Sequence, residues 1–206
     1  MNLRAERARS DVGLVTPQQR LLLRLAARHR LRSVVHARGR CFSCSLDLAL
    51  DAHKRGLAVT LLRWRVVGQD DFVDHWAVRF DDAQALDLSS VQFDPAGRLL
   101  QPLGLYPEQF IDLREYPASL FLPSYARVAL HRRGRLPITF LSTVCTAMWR
   151  HDLRAALHRW ALPDAVGVSV RYAARRLVLA IERWRRKLER RERRLRGEPP
   201  TGQTVL

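Results

Sequence analysis

The chain has 206 residues, 47% of them hydrophobic, and 36 Lys/Arg against 20 Asp/Glu give it a formal net charge of +16. This length and apolar content suit one domain, or one domain with appendages, around a substantial core. Three cysteines without framework spacing argue against a disulfide-built secreted scaffold. The charge is unevenly placed. Ser33 to Leu100 carries eight Lys/Arg against nine Asp/Glu, whereas Arg171 to Arg196 carries twelve against three. The basic character therefore belongs to a C-terminal appendage. Arg4, Glu6, Arg7 and Arg9 interrupt any signal-like apolar run, and Leu136 to Trp149 is too short to span a bilayer, so a cytoplasmic protein is expected.

Residues 1–15 read as a loose lead-in and residues 16–137 as the core. Thr16-Pro17-Gln18-Gln19 carries helix-start signals: a capping threonine, proline at the first helical position and Gln19 closing a capping box. Leu21, Leu22, Leu25 and Ala26 give that helix an apolar face. It is expected to end near Arg32 and lead through an extended Ser33-Val34-Val35 to Gly39. From Cys41, the spacing of Phe42, Leu46, Ala49 and Ala52 predicts a second amphipathic helix, stopped by Gly56. Leu57 to Val67 reads as a buried strand, Gly68 to Asp71 as a turn, and residues 72–80 and 84–88 as two further strands.

Cys41 stands at the mouth of its helix, where the dipole favours the thiolate. A thiolate nucleophile needs a base and a group to orient that base. His75 in Asp74-His75-Trp76-Ala77-Val78 and Asp87 in Leu86-Asp87-Leu88 supply both types. Because side chains alternate along a strand, His75 and Asp87 share a face only in certain hairpin registers. A triad therefore predicts a loop longer than two residues, or a bulge, near Asp81 to Ala83. Cys44 competes with Cys41, but the Gly39-Arg40 prefix and the fifteen-residue step to Gly56 favour Cys41. His36 and His53 are the other bases to weigh, and Asp74, Asp82 and Asp94 the other orienters. Cys41-x-x-Cys44 has the spacing of a redox pair or of half a zinc site, and Cys145 with the scattered histidines supplies no second half for zinc.

Gly-x-Cys-aromatic with glycine fifteen residues later, followed by His-Trp-Ala-Val and Leu-Asp strand motifs, resembles the transglutaminase-like (papain-like) superfamily over roughly residues 38–95. The resemblance implies an α+β fold: a nucleophile helix packed on an antiparallel sheet, with extra N- and C-terminal helices here. It also implies Cys41 as nucleophile, His75 as base and Asp87 as orienter, with no metal or organic cofactor. The superfamily includes cross-linkers, thiol peptidases and amidases, leader-peptide proteases and arylamine N-acetyltransferases. No calcium-loop pattern is present, and only twelve positions separate His75 from Asp87. Hydrolysis or acyl transfer on a peptide or protein substrate is the expected activity: a peptidase, deamidase or peptide-maturation protease.

Residues 89–137 are rich in Pro, Gly and aromatic residues and read as ordered loop, a lid or groove wall or else irregular packing, with a strand near Ala126 to Leu130. Residues 138–196 form a helical, arginine-rich region. One helix is expected over Ile138 to Ala161, with Trp149 and Trp160 as packing anchors. Pro163-Asp164 is read as a break before a last helix from Val168 to Leu195. Val170, Ala174, Leu177, Ile181, Trp184, Leu188 and Leu195 follow three- and four-residue steps, with Arg191 the only polar entry, a seam expected to pack on the preceding helix. Self-association or a protein partner through residues 170–195 is the other use of that seam. The arginine-rich face could hold nucleic acid or anionic membrane, which would be the main function if the core were an inactive binding module. Residues 197–206 read as a disordered tail.

Overall fold

The computed structural model describes residues 15–67, 74–129, 136–158 and 162–195. The expected lead-in, the Gly68–Asp71 turn, Trp160 and the expected tail lie outside them, save Val15. The chain divides into two compact units, Met1–Ala118 and Ser119–Leu206. It is an α+β protein, with six α-helices among the described residues and a five-stranded antiparallel sheet in the first unit.

Helix α1 (Pro17–His29) begins at the expected capping box: the Gln19 amide donates to Thr16 Oγ1 at 3.1 Å and the Thr16 amide to Gln19 Oε1 at 2.9 Å. It ends before Arg32, and the expected extended segment is instead a one-turn helix, α2 (Val34–Ala37). Val34 and Val35 are exposed, so no sheet face rewards their β preference and the local turn wins. Gly39 then takes a left-handed φ of 69°, turning the chain into α3 (Cys41–His53). Leu46, Leu48, Ala49 and Ala52 of α3 are fully buried. Gly56 ends the turn after α3 with φ 74°, its amide donating to the His53 carbonyl.

The strands are β1 (Thr60–Val66), β2 (Asp74–Arg79), β3 (Gln84–Leu86), β4 (Leu100–Pro102) and β5 (Phe110–Pro117), in the spatial order β4-β3-β2-β1-β5. In register, Trp64 faces His75 and Leu62 faces Ala77, so these four share one sheet face. Leu62, Trp64, Ala77 and Ala85 form a buried cluster there, covered by Leu103, Tyr106 and Phe110. Helix α3 packs against β2, with the Phe42 ring 4.4 Å from that of Trp76. β5 carries a bulge: Asp112 and Leu113 stand opposite Trp64 alone, and Asp112 takes a φ of 55°. That extra residue breaks the alternation that marks a strand in sequence.

In the second unit, residues 126–129 belong to a helix, α4 (Leu122–Ala129), and not to a strand. Pro123 fits its first turn, and Leu122 and Tyr125 are buried on one side. Helices α5 (Ile138–His158) and α6 (Leu162–Leu195) pack antiparallel, with Trp149 stacked on Tyr172 at 4.9 Å. Pro163 does not break the chain before α6. It sits in the first turn, where a missing amide hydrogen costs nothing, so the helix starts six residues before Val168. The seam expected against α5 is not buried: Val170, Leu177, Ile181, Trp184 and Leu188 are all exposed, and α6 meets α5 through its other side.

Replacing Gly56 by alanine should destabilise the fold by about 1–2 kcal/mol, the cost of a left-handed conformation with a Cβ. Nothing lies within 4 Å of that Cβ, so the effect isolates backbone strain. Urea denaturation reads it, and an unchanged midpoint would contradict the left-handed stop.

Candidate active site

The hairpin between β2 and β3 decides whether His75 and Asp87 can meet. Val78 pairs with Leu86 and Arg79 with Ala85, while the Phe80 amide donates to the Gln84 carbonyl at 3.0 Å. The connection is therefore the three residues Asp81 to Ala83, with Asp81 Oδ1 accepting the Ala83 amide at 2.8 Å. Continued one step, this register sets Asp87 beside Ala77, on the same face as His75 and diagonal to it. The two side chains meet: His75 Nε2 lies 2.6 Å from Asp87 Oδ2.

Asp87 has no exposed surface and His75 only 4%. A buried carboxylate must be compensated by hydrogen bonds and charge. Besides His75, Oδ2 accepts the Tyr106 hydroxyl at 3.1 Å, while Oδ1 accepts the Ser89 amide at 2.9 Å and its hydroxyl at 3.2 Å. Burial, then the neighbouring Asp87, raises the Tyr106 pKa, which keeps the phenol a neutral donor. Tyr106 is itself fixed by stacking on Trp64 at 4.2 Å. Phe93 and Phe110 close around the imidazole edge-on at 5.4 and 4.9 Å.

Asp87 takes Nε2, which leaves Nδ1 for the third group. Cys41, at the first position of α3, is near enough to the imidazole to help raise its pKa. Its Sγ also lies 3.6 Å from the Asp74 carbonyl, the backbone group immediately before His75. The Cys41 thiol thus meets both the base and the strand that carries it, at the positive end of a thirteen-residue helix. Burial alone would lower the pKa of His75. The Asp87 carboxylate, with a further contribution from Cys41, more than reverses this and pushes it up to about 10.

The competing residues have other occupations. Cys44 is buried, its Sγ 3.3 Å from the Cys41 carbonyl, and burial followed by the nearby Cys41 and Asp87 charges raises its pKa. His36 and His53 are exposed. Asp74 is paired with Arg63 at 2.6 Å, a buried bridge that anchors the start of β2. Asp94 fastens the loop after β3, accepting from Gln101 Nε2 at 2.7 Å and from the Arg98 and Ala96 amides at 3.0 and 3.1 Å. The Asp82 side chain is fully exposed. Among the described residues no group of three His, Cys, Asp or Glu side chains could hold a metal ion.

Tyr106, Ser89 and the aromatic wall were missed by sequence reasoning. Ser89 follows Asp87 by two residues, the spacing of a side chain that bonds its own backbone, which is the signal that could have found it. Tyr106 arrives from an irregular segment without periodicity. The chain matches no protein-family profile, no curated protein and no solved structure.

The His75 pair also ties stability to pH. The folded pKa lies above the unfolded one, so its contribution is complete below about pH 6.5 and is lost as pH rises towards about 10. An NMR titration should find the His75 ring protonated well past neutrality. In Asp87→Asn its midpoint should fall back towards or below about 6.5, with about 3–5 kcal/mol of stability lost because a buried pair is broken. An ordinary midpoint in the native protein would show that Asp87 does not hold the charge.

Proposed function

We propose that this chain is a thiol-dependent acyl-transfer enzyme with a papain- or transglutaminase-like core, acting on peptide or protein amides. One observation carries this reading: a fully buried carboxylate holds His75, and a thiol at a helix N-terminus lies against the backbone carbonyl immediately before that histidine. In this reading Cys41 acts as a thiolate beside the charged His75 ring, whose raised pKa keeps a proton in place for the leaving group. Cys41 Sγ attacks the carbonyl carbon of an amide or thioester, forming an S–C bond and a tetrahedral oxyanion. The His75 imidazolium gives its Nδ1 proton to the leaving amine or thiol as the C–N or C–S bond breaks, leaving an acyl-enzyme. Neutral His75 then takes a proton from water, which attacks the thioester and releases the acid. An amine in place of water gives a transferred acyl group. Throughout, Asp87 fixes the ring tautomer and orientation, as in other triads.

Cys41 keeps only 8% of its surface exposed, so a narrow acyl segment suits the site better than a bulky folded surface. Hydrolysis is the favoured outcome, because the chain shows no calcium-loop pattern of the cross-linking branch.

A panel of short peptide thioesters and aryl amides, followed by intact-mass analysis, tests the proposal. An acyl adduct should form on Cys41, persist in Cys44→Ala and be absent from Cys41→Ala. Its rate of formation should fall about 10²–10⁴-fold in His75→Ala. A panel that yields no adduct, or one mapped to Cys44 or Cys145, would rule the reading out.

A further inference from the structure

Helix α6 leaves its most apolar side uncovered. Val166, Val170, Leu177, Ile181, Trp184 and Leu188 are all exposed, five of them by more than half of their surface. At 100° per residue these six fall within an arc of about 60°, running about 33 Å along the helix. The buried Ala165 and Val168, and Tyr172 stacked on Trp149, project from the opposite side. The stripe is therefore not the seam with α5.

Its borders are cationic. Exposed Arg183 and Lys187 flank it on one side and exposed Arg171 and Arg185 on the other. Glu182 and Glu189 lie on the Arg171 and Arg185 side of the stripe and pair with Arg185 at 3.9 and 3.2 Å. Across Leu162–Leu195 there are eleven Lys/Arg against four acidic residues, a net of +7. We infer that this side of α6 docks on the surface of a bilayer rich in anionic lipid, its stripe among the upper acyl chains and its border cations at the headgroups. A tryptophan-containing apolar arc with basic borders and low mean hydropathy is the pattern of an interfacial helix. No helix among the described residues is long and apolar enough to cross a membrane, so the helix would lie in the plane of the interface. A second copy fits poorly, since pairing two stripes sets basic borders against basic borders. Nucleic acid would engage the cations and leave the apolar stripe in water.

Flotation of the full chain with phosphatidylcholine vesicles, with and without phosphatidylglycerol, tests the inference. Two double variants accompany it, Leu177→Asp/Trp184→Asp and Arg183→Glu/Lys187→Glu, together with Cys41→Ala. The native chain and Cys41→Ala should float with the anionic vesicles and hardly with the neutral ones. Each double variant should lose at least tenfold in partitioning while keeping its helical circular dichroism. The inference is overturned if the native chain ignores anionic vesicles, or if Leu177→Asp/Trp184→Asp binds undiminished, meaning that charge alone attracts the protein. It is also overturned if sedimentation without vesicles finds a dimer that this variant dissociates, since a second copy then covers the stripe.

Discussion

The site depends on a carboxylate with no access to water. Asp87 sits at the end of β3 with both oxygens occupied, one by Ser89 and the other by His75 and Tyr106. A charge in that position is tolerable only with all of these partners in place. The requirement reaches outward: Tyr106 must stack on Trp64, Phe93 and Phe110 must close on the imidazole, and β2 and β3 must keep one register. Slipping the hairpin by a single residue would turn Asp87 to the other face and leave His75 buried without its partner.

The same constraint explains why neighbouring polar groups are arranged as they are. The Arg63–Asp74 bridge fixes the beginning of β2, and the Asp74 carbonyl lies within reach of the Cys41 thiol. Asp94, through Gln101 and Arg98, ties the loop between β3 and β4, which also carries Ser89 and Phe93. Hydrogen bonds, first from Gln101 and then from Arg98, hold the Asp94 carboxyl well below the usual carboxylate range. These are structural carboxylates, each satisfied locally, whereas Asp87 is directed at a group that can change its protonation.

Much of this was legible in the sequence because the signals are local. A capping box, the glycine stop at Gly56 and the Cys41 helix each rest on a few adjacent residues, and all three are present. Side-chain alternation required either a connection longer than a two-residue turn between β2 and β3 or a bulge, and the connection is three residues long. What failed to show was decided at a distance or by irregularity. The bulge in β5 hides that strand from a period-two reading, and Tyr106 reaches Asp87 across 19 positions from a segment with no pattern. Val34 and Val35 have a strand's side chains but no sheet to join. The seam on α6 illustrates a further limit. Three- and four-residue steps mark an apolar helix face, yet they carry no information about what covers it.

The charge of +16 separates along the same lines. The region that builds the site is close to neutral, and the ionic groups nearest the site, Asp87 with His75 and Arg63 with Asp74, are buried and paired. The second unit concentrates the excess in α6, which also carries an uncovered apolar stripe. Chemistry and surface attachment would then be carried by different parts of one chain. The most direct measurement of the central claim is the pH dependence of Cys41 alkylation by a small neutral reagent, in the native protein and in His75→Ala. A single fast-reacting thiol whose rate stays high well below pH 8, and which slows in the variant, is the predicted result. A thiol that reacts slowly at every pH, or one indifferent to the loss of His75, would contradict an activated nucleophile.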